Sequence, residues 1–186
     1  YFLFEIDYSP EYPYKPPRFT YLALGSRVRQ HPQLYRNGKV CLSILNTWPI
    51  GNPWNSCLSI KGVCLVIQSL MDSNPISHEP GKLDCSEAES YSLIVRYANF
   101  LFNSLKLFEV SPPGFEPVME KVRADMKTIL PDLRKDIGLS EKKTNGYLAK
   151  YGMDCLTSKI YSINVKPDYG AITSRLKLLE KALIAF

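Results

Sequence analysis

The chain has 186 residues, of which 45% are hydrophobic and 22% charged, so at about 150 residues per domain it reads as one core-bearing domain plus an appendage, and disorder and collagen-like repetition are excluded. No apolar run approaches the roughly 18 residues of a membrane-crossing helix and no charged-then-apolar leader opens the chain, which points to a soluble, intracellular protein without a membrane partner. The net charge of +5 is uneven: residues 1–116 hold ten Lys or Arg against ten Asp or Glu, residues 117–186 thirteen against eight, but the cations are scattered and not interleaved with aromatics, so nucleic acid is not an expected partner.

In chain order, residues 2 to 8 alternate Phe2, Phe4, Ile6 and Tyr8 with Leu3, Glu5 and Asp7, the period of a half-buried strand. Because this pattern starts without a preceding turn, the domain is read as N-terminally incomplete. The proline-rich SPEYPYKPP forces an extended turn before a second strand, Arg18 to Leu24. Gly25 to Pro53 contains one short apolar run, Val40 to Leu45, and reads as a long functional loop. Ile60, Val63, Cys64, Ile67, Leu70 and Met71 recur at helical spacing after an N-cap at Ser59, predicting a buried helix with Cys64 in the core. Further stripes follow at Tyr91 to Phe108 and at Val118 to Ile129. The latter breaks near Pro131 and resumes to Ile137, residues 138–145 read as a polar connection, and a terminal helix carries Ile172, Leu176, Leu179 and Leu183.

Five cysteines, odd in number and without a CxxC pair, indicate neither a disulfide framework nor a zinc site. The informative one is Cys41, which follows the Asn37-Gly38 turn in HPQLYRNGKVCLSIL. Composition alone reads it as a small buried hydrophobe; Arg36 and Lys39, within five positions, favour the thiolate of a nucleophile. Cys57, Cys85 and Cys155 carry no motif, and Cys85 sits among Asp84, Ser86 and Glu87, an acidic setting that disfavours thiolate.

Three segments resemble the ubiquitin-conjugating enzymes: EYPYKPPRF at Glu11 to Phe19, HPQ ten residues before Cys41, and Trp54 to the Asn74-Pro75 pair. Within that family RNGKVCLSIL, Thr47-Trp48, IQSLM and NPISHEPG are most similar to the large Z-type members. The resemblance implies an α/β fold, an antiparallel sheet packed on helices, whose first helix and strands would precede Tyr1. It places a catalytic core at 1–114 and a helical extension at 115–186. It also implies that Cys41 accepts ubiquitin or a ubiquitin-like modifier from an activating enzyme as a thioester and passes it to lysine, a role that requires a reachable thiol. No cofactor is expected, because ATP is consumed upstream.

Gln33 stands where the family has asparagine and would keep an amide donor for the loop and the oxyanion. Glu79 aligns with a loop acid that would deprotonate the incoming lysine amine, with an idle exposed acid as the alternative. Neighbouring His78 is chemically suited to base work but has no precedent there; His31 reads as structural, donating to backbone under the loop, and the Asn74 amide or Asp72 as a helix-end cap. Tyr21, Ser56 and Cys57 fall where the family meets its ligases, so a ligase is a further expected partner, in cytoplasm or nucleus. A noncatalytic ubiquitin-binding variant of the fold is the rival reading.

Overall fold

In the computed structural model, which describes residues 1–81 and 86–184, the alternating FLFEIDY segment forms β1, Phe4–Asp7, paired antiparallel with β2, Arg18–Tyr21. Phe4 faces Tyr21 and Ile6 faces Phe19, so one aromatic pair and one β-branched–aromatic pair line one side of the ribbon; each such pair contributes roughly 0.2–1 kcal/mol. Phe19 and Tyr21 pack with Leu34, Val40, Leu42, Trp54 and the helix residues Val63 and Ile67 in one buried cluster. That helix, α1, Ile60–Ser69, starts at Ser59, whose hydroxyl accepts the Gly62 N–H.

One sequence expectation for α1 fails. Val63 and Ile67 are buried, at 1% and 5% exposure, and Ile60, Leu70 and Met71 pack half-buried against the same cluster, but Cys64 faces solvent. Cys64 is therefore not a core residue. An apolar run of this kind satisfies helical spacing at several phases, and only the contact with the sheet selects which phase is covered. Cys85 lies outside the described residues.

Contacts divide the chain into two units, Tyr1–Ser92 and Leu93–Phe186. The boundary falls within α2, Ala88–Ala98, which runs on through a wider π-helical stretch, Asn99–Lys106, to a last α turn, Leu107–Glu109. The widened turns shift the phase of the stripe, so Leu107 rather than Phe108 is fully buried.

In the second unit, α3 runs uninterrupted from Glu116 to Tyr151. Neither the break at Pro131 nor the polar connection at 138–145 exists. Pro131 is exposed, leaving water free to hydrate the carbonyl its ring deprives of an N–H. The buried stripe is Met119, Val122, Met126, Ile137, Ser140 and Thr144; its last two members are polar and evade a hydrophobic pattern. Both hydroxyls meet the buried Tyr169 phenol, at 2.8 Å and 3.1 Å. A short hairpin, β3 (Leu156–Ser158) and β4 (Ile163–Val165), leads to α4, Tyr169–Ile184. Ile172 and Leu176 of α4 pack with Tyr97, Phe100, Leu105 and Ile137. None of the helices formed by the described residues is long and apolar enough to cross a membrane.

Candidate active site

The Asn37-Gly38 turn forms as its sequence dictates. Gly38 adopts φ +90°, and a Cβ there would lie 2.8 Å from the Thr20 methyl, so only glycine lets this turn close on β2. The Tyr21 N–H donates to the Gly38 carbonyl at 2.8 Å, which fixes the strand feeding Cys41 against the sheet.

Cys41 is 5% exposed. Its N–H donates to the Gln33 carbonyl at 2.9 Å, and its thiol donates to the Thr47 carbonyl at 3.3 Å. The expectation of a thiol open to solvent is thus not met in this conformation. Thr47, whose carbonyl caps the thiol, is pinned in turn: its Oγ1 accepts the Leu42 N–H at 2.8 Å and donates to the Val40 carbonyl at 2.7 Å, while Asn46 Oδ1 accepts the Trp54 N–H at 2.9 Å. From Thr47 to Pro53 the chain is exposed, Trp48 and Ile50 included. A groove of about 390 Å³ borders Val40 and Thr47. The two cations near Cys41 in sequence have partners of their own, since Arg36 donates to the Arg27 carbonyl at 3.0 Å and the Lys39 ammonium lies 5.5 Å from the Tyr35 ring centroid.

Gln33 is held at both ends. Its backbone N–H donates to His31 Nδ1 at 3.1 Å, and its side-chain Nε2 donates to the His78 carbonyl at 3.2 Å. The amide oxygen, Oε1, is buried with no hydrogen-bond partner. His31 is structural, as its sequence setting indicates: its Nδ1 accepts the Gln33 N–H, and the ring also hydrogen-bonds the Leu70 backbone. Burial lowers its pKa from 6.5 to about 4, helped by the His78 ring and opposed by Asp72, so it is neutral at physiological pH. The two imidazole centroids lie 5.0 Å apart.

His78 Nε2 donates to Asp72 Oδ2 at 2.8 Å, and Asp72 Oδ1 accepts the Asn74 N–H at 2.8 Å. Desolvation alone would raise the Asp72 carboxyl, but the His78 and Asn74 hydrogen bonds outweigh it and hold the group below its ordinary value. Glu79 ends the turn Pro75–His78, its N–H donating to the Ile76 carbonyl at 3.0 Å. Its carboxylate lies close enough to the buried Tyr91 phenol to add to the upward pKa shift that burial imposes there.

Of the residues singled out from sequence, the fold therefore brings Cys41, Gln33, His31 and His78 together, with Glu79 next along the chain. Tyr21 is corrected: at 3% exposure it belongs to the core, and its phenol donates to Gln30, so its side chain offers no surface to a ligase. Cys57 and Ser56 are exposed, the Cys57 N–H bonded to Asn55 Oδ1. Sequence reasoning missed Thr47 as the residue whose carbonyl caps the thiol and Asp72 as the partner of His78. A single threonine or aspartate in a loop carries no pattern that announces either role.

Residues 1–98 match the family model of ubiquitin-conjugating enzymes. Over 128 residues, 65% of this chain, the sequence is 40% identical to ubiquitin-conjugating enzyme E2 Z of Homo sapiens and 38% identical to that of Xenopus tropicalis, covering 36% and 41% of those proteins. The Danio rerio protein of the same name is 40% identical over the same share, with 39% of its length covered. The chain thus spans about two fifths of the length of these relatives.

Proposed function

Because the chain belongs to the ubiquitin-conjugating enzyme family, we propose that it carries ubiquitin or a ubiquitin-like modifier as a thioester on Cys41 and passes it to a substrate lysine. The observation that supports this most is the direct bond between the Cys41 N–H and the Gln33 carbonyl, which pairs the backbone of the thiol-bearing residue with that of the amide-bearing one. In the first step Cys41 gives up its thiol proton and the thiolate attacks the carbonyl of the modifier's C-terminal thioester on the activating enzyme; a new C–S bond forms, the old one breaks, and the activating enzyme's cysteine departs as thiolate and takes up a proton in its turn. In the second a neutral lysine amine attacks that carbonyl, a C–N bond forms, the C–S bond breaks, and Cys41 departs as thiolate.

Before either attack the thiol has to release the Thr47 carbonyl. S–H is a weak donor, so this is a small cost. The Gln33 amide keeps a second N–H beyond the one given to His78, available to a developing oxyanion; such a donor contributes about 2.7–4 kcal/mol. Glu79 is the base that orients the incoming amine and takes its proton, worth about 10²–10⁴ in rate. The catalytic core is residues 1–114 and the extension 115–186. The partners are the modifier, an activating enzyme that consumes the ATP, and a ligase meeting the exposed Ser56 and Cys57. Cytoplasm and nucleus are the compartments in which such a thiol stays reduced.

Incubation with activating enzyme, ATP and ubiquitin tests this reading. A reductant-sensitive adduct is expected, converted by Cys41→Ser to a reductant-resistant ester. Absence of any adduct with ubiquitin and ubiquitin-like modifiers alike removes the enzymatic reading. Glu79→Ala slows discharge to lysine more than charging; equal effects on both steps remove Glu79 from the base role.

A further inference from the structure

The turn between α1 and Glu79 is closed by one carboxylate. Asp72 Oδ1 receives the Asn74 N–H and Oδ2 receives the His78 ring N–H, both at 2.8 Å, so Asp72 ties the first and last residues of the turn together. Inside it, Ser77 Oγ donates to the Asn74 carbonyl at 2.7 Å, and Ile76 is completely buried as the anchor. The Asp72 and His78 side chains are 45% and 25% exposed, so as an ion pair they contribute little to stability. Their consequence is geometric. The backbone carbonyl of the same His78 receives the Gln33 side-chain amide at 3.2 Å, while the His31 ring, 5.0 Å from the His78 ring, receives the Gln33 backbone N–H.

We propose that Asp72 and His78 are positioning residues, a clasp that holds the His78 peptide so that its carbonyl sets the orientation of the Gln33 amide. The clasp acts through Gln33 and touches neither the modifier nor the acceptor amine. With the imidazole released from Asp72, the 78–79 peptide keeps only the bond from the Glu79 N–H to the Ile76 carbonyl, the His78 carbonyl tilts away from the Gln33 amide, and the amide samples orientations that no longer serve the transfer step. The inference rests on the reading of Cys41 as the acyl carrier.

Single-turnover discharge of the preloaded full chain to free lysine tests it, alongside the side-chain amide resonance of Gln33 in the uncharged protein. Asp72→Ala and His78→Ala are expected to lower the maximal discharge rate about 10-fold, the scale on which misplacing a positioned group acts, with charging unchanged. Asp72→Asn, which keeps one of the two acceptor oxygens, restores part of the rate. In a Gln33→Ala background Asp72→Ala slows discharge no further, and the Gln33 amide resonance shifts in Asp72→Ala. Multiplying effects of Asp72→Ala and Gln33→Ala, wild-type discharge by Asp72→Ala, or an unmoved resonance each overturn the clasp. If the unsubstituted chain forms no thioester, the function proposed above fails, and the resonance still decides whether the clasp exists.

Discussion

Cys41 and Gln33 face each other across a backbone hydrogen bond of 2.9 Å from the Cys41 N–H to the Gln33 carbonyl, although eight positions separate them in the chain. The bond makes the thiol-bearing residue and the amide-bearing residue parts of one rigid loop. A change that reaches the Gln33 end of this loop is therefore expected to appear at the thiol.

The cover over Cys41 predicts an order of thiol reactivity. Exposed Cys57 and Cys64 react with iodoacetamide before Cys41, which is 5% exposed. Thr47→Val deprives the Leu42 N–H of its acceptor, lowers stability by about 1–3 kcal/mol and accelerates alkylation of Cys41. Peptide mapping over a time course reads both effects, and wild-type Cys41 reacting as fast as Cys57 would sink the idea of a pinned cover.

Gln33→Ala removes the amide that His78 holds. Discharge of a preformed Cys41 thioester to lysine is expected to slow by about 10²–10³ if that amide donates to the oxyanion. Quenched-flow assays of charging and discharge give the split; a charging defect as large as the discharge defect assigns Gln33 to loop folding instead.

His31 predicts an acid-sensitive fold. The unfolded chain takes up a proton near pH 6.5, which the buried ring refuses until about pH 4, so stability is present above 6.5, falls across that interval and levels off below it. The gap between the two values corresponds to at most about 3 kcal/mol. Urea unfolding between pH 7 and 4 should show a shallower loss for His31→Gln than for the unsubstituted chain. Parallel losses would mean that the ring is not buried neutral. Asp72, held below its ordinary value, loses its contribution only at lower pH, as it protonates.

In the second unit, Tyr169→Phe takes the phenol away from Ser140 and Thr144, both fully buried. A loss of about 1–3 kcal/mol is expected in chemical denaturation, from desolvated hydroxyls left short of a partner. An unchanged midpoint would show that water or backbone takes the phenol's place.

Much of the local structure was legible without coordinates. The Asn37-Gly38 turn, the Ser59 cap, the alternating β1 and the Ile172 and Leu176 face of the terminal helix are each specified by neighbours within a few positions. The region carrying Cys41 was equally legible, because its residue types and spacing stand together in one stretch of chain. The continuous α3 was not, since Ser140 and Thr144 prolong a buried stripe by hydrogen bonding to Tyr169, a partner 29 and 25 positions away.

Sequence by itself determined where turns, caps and amphipathic faces fall, because backbone dihedral preferences and side-chain periodicity act over one or two turns of chain. Tertiary structure alone decided that Tyr21 lies inside, that Cys64 lies outside, that Thr47 covers the thiol and that Asp72 grips His78. Each of those outcomes depends on which of several chemically acceptable partners packing brings within hydrogen-bond or van der Waals range, and that choice is made by the whole fold at once.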